Sequence, residues 1–512
     1  MRNSLLILLI WMFSLTNLTI AQVVFQKGYK VIDNGWGTSI QQTTDDGYII
    51  TGLTFLPSPA NNHDVFLLKM DSLGDTLWTK TYGGLQTDRG HGIQQTYDGG
   101  YIIVGTTLNA GGFKETPFLI KTDSLGDTLW TKRYNSVNDF YAYSVQQTKD
   151  SGYIICGGMS DLIRTDADGN VLWTKEYQGT IAEIGHSVQQ TLDGGFIFTG
   201  MTENFGAADA NVHLVKTDSI GNPLWEKMYD SGLAERPESV QQTADSGFII
   251  NCWTWNQNGL LIKTDSIGNL LWSKQYDGTG ALGFFTAKQT FDGGYILSAG
   301  HSTYGAGDGD AYLIKFDSIG NLIWSKVFNV SGPDEISSAI QAKDGGYIAV
   351  GYAQINFSSV YIYLIKTDSN GVSGCNEMNA PTVVTSPATT VISVSSLVTN
   401  LIITVDNPGY AVNSGGIITD LCTLGLNETL SNSSLLISPN PSSGKFSISF
   451  SAEFLKGEIE IYNIIGENIF RDLIYSPSKT EINLKNIPSG IYFVKAFDGK
   501  KSYCKKLIIE EN

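Results

Sequence analysis

A seven-residue marker, Gln-x-x-Asp-x-Gly-aromatic, recurs seven times in this chain, and no other feature restricts its fold so tightly. The Gln positions are Gln42, Gln95, Gln147, Gln190, Gln242, Gln289 and Gln341, so successive copies lie 43 to 53 residues apart. Self-similarity at that period marks a repeat architecture whose units cannot bury their apolar faces alone. Each copy reads as four short strands, a to d; in the second copy they are GIQQT, YIIVG, FLIKTD and LWTKRY. β-Branched and aromatic residues dominate them. The a–b link, Asp-x-Gly, suits a tight hairpin with Gly at positive φ. The c–d link, Asp-Ser-x-Gly-Asp/Asn, places side chains that bond their own backbone. Four strands in about 50 residues predict one propeller blade per copy.

Strand b is apolar at consecutive positions, as in Ile102, Ile103 and Val104, which predicts burial on both faces between neighbouring blades. Six of the ten Trp (Trp78, Trp130, Trp173, Trp225, Trp272 and Trp324) share one slot of strand d. Recurrence in nearly every copy is what packing between blades requires; a row of sugar-stacking platforms is the functional alternative. The marker Gln is expected to be a buried hydrogen-bonding tie. After strand c of the seventh copy no Trp strand follows, while Val24–Tyr29 aligns with Leu77–Tyr82 and puts Phe25 in the Trp slot. The N-terminal strand should therefore complete the last blade and remove the open edges. This closure resembles that of WD-repeat propellers. The hairpin Asp265-x-x-Gly268-x-x-x-Trp272 resembles the blade signature of quinoprotein-type propellers. Its Asp-to-Gly gap is one residue shorter and a vicinal Cys pair is absent, so the likeness implies blade geometry and no quinone cofactor. The expected fold is all-β, with a seven-bladed β-propeller over residues 22–372.

The chain has 512 residues, enough for two or three domains. Residues 1–21 read as a secretory signal peptide: Arg2, an apolar run from Ser4 to Leu15, then Thr19-Ile20-Ala21 before Gln22. No later stretch is long and apolar enough to span a bilayer. A net charge of −17 argues against nucleic acid or an anionic membrane as partner. Of five cysteines, Cys375 and Cys422 bracket one stretch and form the natural disulfide pair for an exported protein; Cys156 and Cys252 fall on b strands as buried thiols. None has zinc-site spacing. Residues 373–432 lose the repeat markers and are expected as a small β insert or strapped linker.

Residues 433–512 alternate short apolar strands with Pro, Gly and Asn, the pattern of an immunoglobulin-like β-sandwich. Pro439-Asn440-Pro441 with Gly444, Ile461-Tyr462-Asn463 with Gly466, Gly490-Ile491-Tyr492, and a closing run containing Lys506 occur in that order. This stretch resembles the C-terminal sorting domain of type IX secretion cargo. The resemblance implies recognition by that secretion machinery and passage through the periplasm and the Gram-negative outer membrane. It also implies a secreted or cell-surface destination, with the tail removed on release or attachment.

With a taken to run from the upper face to the lower, the uniform a–b and c–d turns fall below, and the longer, variable d–a and b–c links fall above. Variable loops on a rigid frame are where binding resides. The position just before strand a holds Thr38, His91, Tyr143, His186, Glu238, Phe285 and Ser337; about two residues earlier stand Trp36, Arg89, Tyr141, Ile184, Arg236, Phe284 and Glu335. Of these, Arg89, His91, Tyr141, Tyr143, His186, Arg236, Glu238 and Phe285 are the candidate binding residues, against the plainer reading of a solvated rim. No Gly-x-Ser-x-Gly, His-Glu-x-x-His or phosphate loop is present, so no catalytic residue is named. Asp166-Ala-Asp168-Gly-Asn170 resembles the start of a calcium loop but is better read as a turn, Asp308-Gly-Asp310 is a similarly weak metal pattern, and no cofactor is expected, with calcium the weak alternative. The expected function is a monomeric, non-catalytic glycan- or protein-binding module. A polysaccharide-active hydrolase or lyase and a structural adhesion protein are the alternatives.

Overall fold

In the computed structural model, seven five-stranded antiparallel sheets and two smaller sheets account for the strands. The structure describes residues 22–421 apart from 56–61, 109–114, 137–140, 159–160, 179–182, 203–209, 278–280, 302–308, 331, 356–358, 401–402, 407–410 and 414–416, and residues 436–509 apart from 439, 441, 450–455, 464–467, 476–479, 485–486 and 498–501. The chain divides into two compact units, 1–421 and 422–512. Residues 1–21, read above as a signal peptide, and Cys422 lie outside the described residues.

The first unit is the seven-bladed propeller. Each strand a lies against the strands a of both neighbouring blades, so these seven strands form the inner ring. Strands b and c are buried on both faces; Ile49, Ile50, Ile102, Ile103, Leu67 and Leu68 are fully covered. The d-strand Trp rings do sit between blades. Each contacts a Tyr or Phe of the next blade edge-on, with centroids 5.4–6.0 Å apart. Each also covers the next c–d turn glycine: a Cβ on Gly221 (φ 79°) would fall 2.8 Å from Trp173 Cη2. Phe25 covers Gly74 in the same way. Phe25–Lys30 pairs with strand c of blade 7, Phe25 opposite Lys366, so the N-terminal strand closes the ring.

The blades are tied by a repeated polar circuit. The Oε1 of every marker Gln accepts a backbone N–H from the a–b turn of the preceding blade at 2.7–2.9 Å, including Lys343 N–H to Gln42 across the closure. Most of these Gln are half-buried rather than buried, because the turn they hold is itself at the surface. Within each blade the marker Asp forms an ion pair of 2.5–2.9 Å with the basic residue of strand c: Lys69, Lys121, Arg164, Lys216, Lys263, Lys315 or Lys366. Those basic side chains are at most 5% exposed.

Two expectations change. Blades have five strands, not four, and of the two forms expected for residues 373–421 the strap is the one found, as part of the propeller unit rather than a separate insert. Seven short strands run as a belt outside strand d of every blade: Glu377–Asn379 on blade 6, Val383–Thr385 on blade 5, Thr390–Ser393 on blade 4, Leu397–Thr399 on blade 3, Ile403–Asp406 on blade 2, Ala411–Asn413 on blade 1, and Ile417–Asp420 on Phe25–Lys30. The belt gives the last residues of each d strand the backbone partners that an edge strand lacks. Arg133 holds Asp406 through two hydrogen bonds, and Glu226 accepts from Ser396 N–H and Oγ–H. The belt's two ends meet: Leu421 N–H donates to Gln26 O (2.9 Å) and Asn376 Nδ2 to Leu421 O (3.1 Å). Cys375 beside this junction is disulfide-bonded, while Cys156 and Cys252 are buried free thiols.

The second unit has a three-stranded and a four-stranded sheet around one core, with Ile437, Phe446, Ile448 and Ile482 from one sheet and Ile459, Ile461, Val494 and Leu507 from the other. Asn440 Oδ1 accepts Ile508 N–H at 2.8 Å, and Gly444 takes φ 90° while its carbonyl accepts Leu484 N–H. Tyr492 is buried and its hydroxyl donates to Pro488 O. Pro439 and Pro441, and the Lys506 side chain, lie outside what the structure describes.

Candidate binding mouth on the upper face

Every strand a begins earlier than expected and carries an irregularity at an equivalent place, with a second one in blade 6 between Ala281 and Gly283. Its pairing with strand b skips a residue between Gly37 and Ser39, Gly90 and Gly92, Ala142 and Ser144, Gly185 and Ser187, Pro237 and Ser239, Phe284 and Thr286, and Ile336 and Ser338. The skipped residues are Thr38, His91, Tyr143, His186, Glu238, Phe285 and Ser337. The ring proposed to precede strand a therefore lies within it, as seven β-bulges. A bulge releases one residue from the ladder and re-aims its side chain. Among the described side chains it does so on the innermost strand at the upper end of blades 1 to 5 and 7.

Four of these residues touch in sequence across blades 2 to 5. His91 meets Tyr143 edge-on at 5.5 Å between centroids. Tyr143 stacks with His186 at 5.2 Å and 14°, and with Tyr141 at 6.0 Å and 2°. His186 Nδ1 is 3.7 Å from Glu238 Oε2, and Arg236 Nε is 3.0 Å from Glu238 Oε1. Arg89 pairs with Glu115 at 3.3 Å, and His91 Nε2 shares a 3.0 Å hydrogen bond with Thr106 Oγ1. Thr38 turns its hydroxyl to Gly90 O instead. The side chains of Phe284, Phe285 and Ile184, and most of the b–c loops, lie outside the described set.

The electrostatics follow from this packing. Burial, with Arg89 nearby, drives His91 down to about 4. Burial and Arg236 take His186 to about 3. Both rings are thus uncharged at neutral pH. Burial raises Glu238 to about 7 although Arg236 opposes it, and burial raises Glu335 to about 7. Tyr143 rises to about 12, mainly through burial, and senses Arg236, Glu115 and Glu238. Tyr141 and the Arg236 side chain are 40% and 46% exposed, so the cluster opens to solvent. His186 Nε2 and Trp36 Nε1 are buried without a hydrogen-bond partner. Glu115 escaped the sequence reading because strand c carries no motif at its start.

Other raised carboxyls are structural. Asp64 and Asp310 rise to about 6, Glu235 to about 7 and Asp334 to about 8, each chiefly by burial. All four are at most 6% exposed, and Glu235 and Asp334 accept N–H groups of the preceding d–a loop. Asp166 is a turn residue: its Oδ1 accepts Asp168 N–H and Asn170 N–H, as Asp123 and Asp218 do in their own hairpins. Among the described residues no group of three or more His, Cys, Asp or Glu is arranged to hold a metal ion. Asp308 lies outside them. No helix among them is long and apolar enough to cross a membrane.

Residues 436–510 match the family model described as a secretion system C-terminal sorting domain. The tail is a type IX sorting domain. The sorting domain directs the propeller to the cell surface or beyond, through the secretion machinery that reads it. No curated protein matches the chain in sequence. Among solved structures, a protein of unknown function from Bacteroides caccae is 14% identical over 55% of this chain and 94% of its own, with a TM-score of 0.38. YCF48 from Cyanidioschyzon merolae is 10% identical over 67% and 100%, at 0.39. PorZ, a surface component of the type IX secretion system of Porphyromonas gingivalis, is 8% identical over 93% and 81%, at 0.20.

Proposed function

We propose that this exported propeller is a non-catalytic binding module that takes a glycan or a surface protein into its upper mouth. The observation that carries the reading is the row of seven aligned bulges, which spends backbone pairing in every blade to present side chains around the axis. In blades 2 to 5 those side chains form one aromatic and ionic cluster with Tyr141 and Arg236 open to solvent. A frame this uniform does not require His91, Tyr143, His186 and Glu238 in equivalent slots; binding does.

One observation favours a second reading, a polysaccharide-active hydrolase or lyase. Glu238 sits in the mouth with its carboxyl raised to about 7, a value suited to proton transfer near neutral pH. Incubating the full exported chain with a polysaccharide panel tests both. Retention without new reducing ends or new unsaturated ends supports the binder. New ends that vanish in Glu238→Gln establish the enzyme instead.

A further inference from the structure

The inner ring carries a second hydrogen-bond circuit, nearer its lower end than the bulges, and the circuit is broken. In blades 1 to 5 the residue before the marker Gln is Gln41, Gln94, Gln146, Gln189 and Gln241. Each turns its Oε1 to the backbone N–H of the next blade's marker Gln, namely Gln95, Gln147, Gln190, Gln242 and Gln289, at 2.5–2.8 Å. A backbone N–H can only donate, so the amide oxygen is committed to it and Nε2 is left over as a donor. Blade 6 has Lys288 in this slot and blade 7 has Ile340. Neither side chain can accept a hydrogen bond. Ala342 N–H bonds Gly346 O across its hairpin, so the N–H of Gln341 points the other way, to the free edge of strand a, and Lys288 cannot cap it.

Lys288 is also unlike the other inward bases. Each strand-c base has its marker Asp. Lys288 is half-buried, burial lowers its ammonium from the usual lysine value, and among the described residues no carboxylate opposes that shift. Its neighbour Gln289 receives Gln241 Oε1, so Gln241 Nε2 stands on one side of the lysine slot and the Gln341 N–H on the other. An ammonium, an amide and a backbone N–H therefore occupy adjoining places on blades 5, 6 and 7, and all three are donors. Their hydrogens outnumber the roughly four lone-pair sites of one carboxylate. A tetrahedral oxyanion offers more. The net charge of −17 gives any anion no long-range attraction, so affinity rests on these local donors.

We propose that one tetrahedral oxyanion, sulfate or phosphate, binds inside the lower end of the inner ring, held by Lys288 Nζ, Gln241 Nε2 and the Gln341 N–H. One of its oxygens takes the place that a glutamine Oε1 takes at the intact joints. The site is separate from the bulges and does not depend on the upper-face reading.

The test is calorimetric titration of the full exported chain at neutral pH and constant ionic strength with sodium sulfate, phosphate, acetate and chloride. Sulfate or phosphate binds at one site per chain, the tighter of the two naming the ion, and acetate and chloride bind at least about tenfold more weakly. Lys288→Met weakens binding by on the order of tenfold or more. Lys288→Gln restores the residue of the other blades. It loses the ion as well, and its thermal midpoint in chloride buffer rises above that of the unaltered chain, because the Gln341 N–H is then capped. That rise also shows that the variant folds. Oxyanion binding that persists in both variants would overturn the placement. Acetate binding as tight as sulfate and phosphate would overturn the tetrahedral class. A Lys288→Gln chain that melts no higher than the unaltered one would overturn the open joint, and binding of neither oxyanion would overturn the proposal outright.

Discussion

The ion pair repeated in each blade is asymmetric, and the asymmetry predicts which partner can be removed safely. In blade 4, Lys216 is 5% exposed and Asp193 is 60% exposed. Lys216 Nζ lies 2.9 Å from Asp193 Oδ2 and donates to Thr217 O at 2.9 Å. Asp193 Oδ1 also accepts from Thr191 Oγ1 at 2.5 Å and from Gly195 N–H at 3.1 Å. Asp193→Ala leaves a buried ammonium with one carbonyl and unpins the a–b turn. Breaking a fully buried pair costs about 3–5 kcal/mol; with Asp193 open to water we expect about 2–3 kcal/mol. Lys216→Met keeps the apolar stem, removes the buried charge and leaves Asp193 hydrated, so it should cost no more than about 1 kcal/mol. The double variant should then be about 1 kcal/mol more stable than Asp193→Ala alone, a coupling of about 1–2 kcal/mol. The assay is urea unfolding at neutral pH followed by Trp fluorescence, which reports the propeller because residues 436–510 contain no Trp. If Lys216→Met proves as damaging as Asp193→Ala, burial of the Lys is not what sets the asymmetry.

Stability should peak at mildly acid pH. Burial pushes Asp45, Asp98, Asp193, Asp245 and Asp292 up, but the Thr, Lys and Gly N–H bonds outweigh it and hold them below the usual range; their stabilisation is complete above the unfolded value and fades as pH falls through the lower folded one. Asp310, Glu235 and Asp334, raised to about 6, 7 and 8, act oppositely: their contribution is present below about pH 4 and is lost as pH rises through 6 to 8. A thermal midpoint highest near pH ~5 and declining toward pH ~8 is expected, and a flat profile between them would refute the second group's role. Trp173→Ala should cost about 2–4 kcal/mol, since the ring fills the space between Phe196 and the Gly221 turn, whereas its neighbour Leu172, 58% exposed, should tolerate Ser within about 0.5 kcal/mol in the same urea assay. Non-reducing peptide mapping should join Cys375 to Cys422, because Asn376 and Leu421, the residues beside them, are hydrogen-bonded; a Cys375–Cys504 link would contradict this.

The sequence by itself determined the blades, their number and the closure. Those features are written in motifs a few residues long: Asp and Gly in the turns, apolar runs in b and c, and Trp or Phe25 in one slot of d, each legible wherever the copy recurs. The strand-c base was legible too, as a basic residue recurring in an otherwise apolar strand, although its buried pairing with the marker Asp emerges only in three dimensions. Three things were decided by the tertiary structure. The belt pairs Leu397–Thr399 with Glu176–Gln178, and such three-residue strands have no local signal because they gain their backbone partners only from distant edges. The bulges depend on register between strands a and b, which side-chain type does not specify. The mouth gathers His91, Tyr143, His186 and Glu238 from four blades; the sequence put them in one slot, but only the closed ring, by bringing the inner strands side by side, turned a shared slot into contact.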